Sequence, residues 1–302
     1  MNIKKIISYG FRSTLKNFKF LILLWITNMA MSIIVVIPIY ALLIDNLQHS
    51  LMSDKLAMQF DLLWYMQFMS LYKNTIGHLP LLLYGIVGIY IIVQTFYSGG
   101  LISVFNIPQK DHISDFFYGG VKYWLRFSKV LSLTLMLVVL AFTINNLLGD
   151  LLAWIFRERD FQLAEFIFRS LRYVLLIFLI GIVMLISEYS KVVIGVEDSS
   201  KVLRSIFDAV IFIKQNFILA FIVFLVISIF GAIGAIVYNI IDIFVPGEPF
   251  AFLFITFILQ QILIIFRLFI RMLFISTEVN IFKDISAKFI EAEVKESNVG
   301  VK

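Results

Sequence analysis

The chain has 302 residues, of which 61% are hydrophobic and 15% charged, with 32 Phe, no Cys and a formal net charge of +5. Soluble domains carry roughly 25% charged and roughly 45–50% apolar residues, so this composition cannot supply a polar shell. Uncharged runs of 15 to 27 residues mark a polytopic α-helical membrane protein. The lack of Cys excludes disulfides, thiolate nucleophiles and Cys metal sites, and positive charge in such a chain reports topology rather than nucleic-acid binding.

Residues 2–19 read as an amphipathic helix. Ile3, Ile7, Phe11, Leu15 and Phe18 share one face, and Lys5, Ser8, Arg12, Lys16 and Lys19 another. A basic face beside a Phe/Ile face suits an interface with anionic lipid. The first span, about residues 20–44 with Pro38 near its far end, is too long for a signal-peptide core and is expected to be retained. The connection over 45–78 is acidic, and its middle, 56–72, is rich in Met and aromatic residues, which predicts a helix along the far interface. The second span falls within 79–105, where Gly85 and Gly88 would allow close helix contact and Gly99-Gly100 marks the end. A turn with Pro108 follows. Ser114 is a candidate N-cap for a second lead-in that carries Asp115, Lys122, Arg126 and Lys129 on one stripe.

The third span is about 130–149. A far-side connection follows with the cluster Arg157, Glu158, Arg159 and Asp160. The fourth span, about 171–194, has an uncharged core of only 15 residues. A crossing needs about 20, so this helix must run past Glu188 and Lys191 or begin before Arg172. A third lead-in starts near Asp198, read as an N-cap, and feeds the fifth span, 217–241, with a small-residue face at Gly231, Gly234 and Ala235. The turn Pro246-Gly247 leads to the sixth span, about 250–275, and a cytoplasmic tail, 276–302, which continues amphipathically over 278–289 and ends in a polar stretch, 291–302.

Nineteen Lys and Arg fall on one side of these spans and six on the other. The positive-inside rule then places both termini and all lead-ins in the cytoplasm, in an inner membrane. The fold class is an all-α membrane protein of six transmembrane helices with three cytoplasmic amphipathic lead-in helices. A shift of 110 residues lays Gly10 on Gly120, Arg12 on Lys122, Lys16 on Arg126 and Lys19 on Lys129, which points to a threefold parallel repeat. The third copy, around Lys214-Gln215-Asn216-Phe217, matches Lys16-Asn17-Phe18 only with one residue inserted.

Short motifs carry a family resemblance: Gly99-Gly100 after the second span, Glu188-Tyr189-Ser190-Lys191 with Val196-Glu197-Asp198 after the fourth, and the Lys, Asn and Phe residues where lead-ins give way to spans. In these the chain resembles, over nearly its whole length, a group of bacterial six-span membrane domains. The group includes the membrane domain attached to some glycerophosphodiester phosphodiesterases and stand-alone inner-membrane proteins. The resemblance implies a membrane module and no enzyme, because the family's catalytic domain would be a separate soluble barrel.

The residues themselves show no catalytic set. His49, His78 and His112 lack metal-ligand spacing, and no GxSxG, P-loop or GxGxxG is present. No cofactor is expected. Polar residues within spans are Asn28, Gln94, Thr95, Asn145, Asn146, Gln260 and Gln261, and the apolar midplane counts against an ion-coupled pump. The charged groups that stand out are Glu188 and Lys191 in the fourth span and Arg267 and Arg271 in the sixth, each pair sharing a helix face. Independent snorkelling to headgroups is the simpler account. The sharper one pairs Glu188 with Arg267 between spans and turns Lys191 and Arg271 toward lipid phosphate or a partner. The expected function is a non-catalytic module that organises lipid or assists an envelope protein complex. Its expected partners are anionic headgroups, and beyond them a membrane protein or a second copy. The alternative is a transporter or channel for an amphipathic or apolar small molecule.

Overall fold

Uncharged runs of this length leave the backbone no partner but itself, and helices are the result. A computed structural model describes residues 3–47, 50–58, 61–107, 112–157, 161–246 and 250–299, with side chains at 57–58, 74–82, 112, 250–251 and 288–299 excepted. His49, Pro108, Gly247, Glu158, Arg159 and Asp160 lie outside the described residues, as do the side chains of His78 and His112.

Among the described residues all regular structure is helical: α1 (Ile3–Lys16), α2 (Phe18–Leu47), α3 (Met52–Met58), α4 (Leu62–Leu71), α5 (Lys73–Asn106), α6 (His112–Ile155), α7 (Gln162–Glu197), α8 (Val202–Gln215), α9 (Phe217–Phe244) and α10 (Phe250–Val299). Six of these, α2, α5, α6, α7, α9 and α10, are long and apolar enough to cross a membrane.

Several boundaries differ from the sequence reading. Ser114 lies inside α6, which runs unbroken through the second lead-in and third span. The far-side connection forms two short helices, and Asp61 caps α4 by accepting from the Trp64 amide at 3.1 Å. The short fourth span is completed at both ends, since α7 begins before Arg172 and continues past Lys191. α10 shows no break at residue 275, and Ile275 to Val279 are all buried, so the first residues read as tail are core.

Two helix junctions are built alike. At Asn17 the backbone amide reaches the Ser13 and Thr14 carbonyls, and the side-chain amide donates to Ser13 O at 2.9 Å. At Asn216 the backbone amide reaches Phe212 and Ile213, and the side-chain amide donates to Phe212 O at 3.1 Å. A short polar side chain that competes for its own helix's carbonyls ends one helix and lets another begin. At the corresponding point of α6 stands Phe127, fully buried, and the helix continues.

The chain divides into two compact units, one of residues 1–10, 98–225 and 275–302, the other of 11–97 and 226–274. In the first unit α5 and α6 meet at backbone distance. A Cβ on Gly119 would lie 2.4 Å from Ser103 Cβ and 2.9 Å from the Gly99 carbonyl, and one on Gly100 would lie 2.7 Å from the Phe116 carbonyl. α7 adds Gly195, whose Cβ would meet Ile102 Cγ2 at 2.4 Å. Tyr189 packs on Phe212 of α8, with ring centroids 5.3 Å apart, and Phe212 on Phe282 of α10 at 5.1 Å. In the second unit α9 packs on α10 through Phe230 and Phe266, 5.7 Å apart, at Gly234, where a Cβ would come within 2.1 Å of the Phe266 ring.

Among the described residues nothing lies within 4 Å of a Cβ built at Gly85 or Gly88, so neither serves a close contact there. Gly119→Ala is therefore expected to destabilise the protein by about 1–3 kcal/mol through overpacking. Gly85→Ala should gain about 0.5–1 kcal/mol from reduced backbone entropy. Thermal unfolding in detergent with a size-exclusion readout checks both, and equal losses would contradict the packing described.

Candidate functional site

The second half of α7 is buried over Ser187, Tyr189, Ser190 and Lys191 through Gly195. Its helical spacing brings Glu188 and Lys191 together, with Nζ donating to Glu188 Oε1 at 2.6 Å. Lys191 is buried and Glu188 partly exposed. The same unit contains Ser276, Thr277 and Glu278 of α10, all buried. Glu278 is only 3% exposed, and neither carboxylate oxygen has a hydrogen-bond partner among the described residues. The charges of Glu188 and Lys191 act on it electrostatically, and it acts on Tyr189, whose buried hydroxyl is also unpartnered. A buried carboxylate without donors is costly to keep charged.

Glu278 is not legible as a buried residue from its own stretch of sequence. It lies after Arg267 and Arg271, in a stretch whose charge suggested solvent. Its neighbours Ser276, Thr277, Val279 and Ile281, small or apolar, were the available signal for a helix still inside the protein.

Of the two residues expected to pair between spans, Glu188 belongs to the first unit, where it pairs along its own helix, and Arg267 to the second, where it is exposed. Arg271 is not a free cation either. Its guanidinium donates to the Gln94 side-chain oxygen and to the Gln94 carbonyl at 3.3 Å. Gln94 passes the link on to Asn28 Oδ1 at 3.3 Å. Trp25 donates to Gln261 at 3.0 Å, and the Thr27 hydroxyl meets that of Tyr97. These residues form a polar seam in the second unit along α2, α5 and α10. Interhelical hydrogen bonds of this type replace water the bilayer cannot supply.

A third polar arrangement sits at the α7–α8 turn. Asp198 does not cap α8, whose N-cap is Lys201. It closes α7 in the left-handed region, at φ 52° and ψ 34°. A carboxylate at a helix C-terminus is electrostatically unfavourable, and here Lys122 and Arg126 offset it at 2.6 Å and 3.0 Å. Arg126 also donates to the Ser199 carbonyl at 3.0 Å. Two cations of the α6 stripe are thereby taken up in fixing a turn. The Lys122 ammonium first, and then Arg126, hold the Asp198 carboxyl below the usual carboxylate range.

Among the described residues no group of three His, Asp or Glu is placed to hold a metal ion. Comparison with known protein families, with curated proteins and with solved structures finds no match.

Replacing Glu278 with Met removes a buried unsatisfied group and should raise stability by about 1–3 kcal/mol. A clear loss in thermal unfolding would instead show that the carboxylate holds a required ligand. Asp198→Asn keeps a residue tolerant of the left-handed region but removes both ion pairs, at a cost of about 1 kcal/mol or less at this half-exposed site. Because the folded-state pKa is depressed, that contribution is fully present above the unfolded value of about 3.9 and is lost as pH falls below it. Unfolding of both proteins from pH 7 to pH 3 should show the gap close at the acid end.

Proposed function

We propose that the protein is a non-catalytic integral inner-membrane module that organises anionic lipid at the cytoplasmic face. The observation that carries this reading is the exposure of bulky apolar side chains beside basic ones on the lead-in helices. On α1 the buried line is Ile6, Gly10 and Thr14, while Phe11 and Leu15 are exposed alongside Lys5, Arg12 and Lys16. On α8 the buried line is Val202, Ile206, Ala209 and Ile213, while Leu203 and Phe207 are each 68% exposed beside Arg204. The N-terminal part of α6 exposes Tyr118, Val121 and Leu125. A helix that buries one face in protein and shows an apolar stripe edged with Lys and Arg fits the plane where acyl chains meet phosphates. The charge bias between the two sides supports cytoplasmic termini.

The same helices support the parallel threefold repeat. Asn17 and Asn216 end α1 and α8 with matching hydrogen bonds, which sets Asn17-Phe18 on Asn216-Phe217. The second copy differs by its unbroken helix. A second reading, a transporter of amphipathic small molecules, draws on Glu278 as a buried carboxylate in a spanning helix, a position that marks substrate or proton pathways in other membrane proteins.

The test is extraction into native lipid discs followed by lipid mass spectrometry. The wild-type discs are expected to be enriched in anionic phospholipid over the bulk membrane. Lys4, Lys5, Arg12 and Lys16, all changed to Gln, should lose that enrichment, at about 1 kcal/mol per charge removed. Wild-type discs of bulk composition would sink the reading, and a carried solute in their place would favour the transporter.

A further inference from the structure

The opposite end of α6, in the first unit, holds a cation that none of the foregoing uses. The uncharged run of α6 ends at Gly149, and Asp150 follows. Arg172 of α7 lays its guanidinium directly on Gly149: a Cβ there would come within 1.7 Å of Nη1. The Arg172 Nε is buried without a hydrogen bond, and the guanidinium carbon lies 4.7 Å from the centroid of the Tyr173 ring. One turn earlier Arg169 is paired with Glu165 at 2.5 Å. Arg172 takes part in no ion pair among the described residues.

Arg172 also lines a groove of about 490 Å³ between α6 and α7. The other walls include Leu148 and Leu152 from α6 and Phe168, Leu175 and Phe178 from α7. The volume is in the range of ligand pockets, roughly 300–1,000 Å³. The lining is apolar throughout except for this one guanidinium, and the charge is set at the level where the uncharged run of α6 stops.

We propose that this groove binds one anionic phospholipid, with an acyl chain against the Leu and Phe walls and the phosphate on the Arg172 guanidinium. Each part of the site excludes a simpler occupant. A free anion would leave the apolar walls unfilled. A neutral apolar molecule would leave the guanidinium without a counter-charge, which is costly away from water. A zwitterionic lipid brings its own cation to compete for the phosphate. A guanidinium presents paired donors that match phosphate oxygens, and Gly149 gives it room to lie against the helix. The inference rests on the lipid-organising reading for its class of ligand, but it concerns a different part of the chain from the lead-in stripes.

The experiment is native mass spectrometry of the full chain in detergent, titrated with phosphatidylglycerol and, in parallel, phosphatidylcholine. Wild type should retain one phosphatidylglycerol in preference to phosphatidylcholine, and excess inorganic phosphate should not displace it. Arg172→Gln should weaken phosphatidylglycerol about fivefold, as expected for one cation near a charged surface, and leave phosphatidylcholine unchanged. Gly149→Ala should act in the same direction by pushing the guanidinium off its seat, and Arg172→Lys, which keeps the charge but not the paired donors, should restore only part of the binding. Without added lipid, Arg172→Gln should unfold at the wild-type temperature or above it.

Equal binding of the two lipids to wild type, or equal phosphatidylglycerol binding by wild type, Arg172→Gln and Gly149→Ala, would overturn the proposal. A lower lipid-free unfolding temperature for Arg172→Gln, with Gly149→Ala binding normally, would make Arg172 a structural cation and overturn it too. Changing the four α1 cations to Gln should leave this one lipid bound. If wild-type discs have bulk composition while Arg172→Gln still loses phosphatidylglycerol, the wider reading fails and the site stands.

Discussion

The contact between α5 and α6 at Gly99, Gly100 and Gly119 sets the geometry of the first unit. Lipid tails are as apolar as the side chains of a spanning helix, so helices in a bilayer are held by close packing rather than by escape from water. Three glycines bring two backbones into contact, and the fit leaves no room for a single methyl group at the crossing. Gly195 extends the same logic to α7 by seating Ile102. The aromatic stack of Tyr189, Phe212 and Phe282 then ties α7, α8 and α10 together within that unit.

Charge in this protein is divided between holding the fold and facing outward. Lys122 and Arg126 lock the α7–α8 turn, Lys191 neutralises Glu188, and Arg271 clamps Gln94. By contrast Arg12 and Lys16, which align with Lys122 and Arg126 under a shift of 110 residues, are exposed on α1. Similar residues at matching places therefore do unlike work. A residue-by-residue transfer of roles between the proposed repeats would be wrong at these positions.

The sequence was most legible where hydropathy changes abruptly. α9 begins at Phe217, where the charges of the preceding stretch stop, and the short fourth span could only be completed by a longer helix, as α7 is. It was least legible where one local pattern serves two ends. Gly85 with Gly88 and Gly99 with Gly100 offer similar small surfaces, and only the tertiary partner Gly119 distinguishes them. Asp is favoured both at a helix start and, by its tolerance of positive φ, just after a helix end, so Asp198 read alone fits either. The burial of Glu278 and of the Arg172 Nε is not legible locally, because burial of a charged side chain is decided by residues remote in sequence.

The unbroken course of α6 has a mechanical consequence. Its 44 residues span about 66 Å at about 1.5 Å each, against a hydrocarbon core about 30 Å thick. When a bilayer thins or thickens, a spanning helix answers by tilting. Helix breaks at Asn17 and Asn216 separate α1 from α2 and α8 from α9. α6 has no joint, so it tilts as a rod. A change of tilt in its spanning part therefore carries along its N-terminal part, with Lys122 and Arg126 and the ion pairs they make with Asp198 at the turn between α7 and α8.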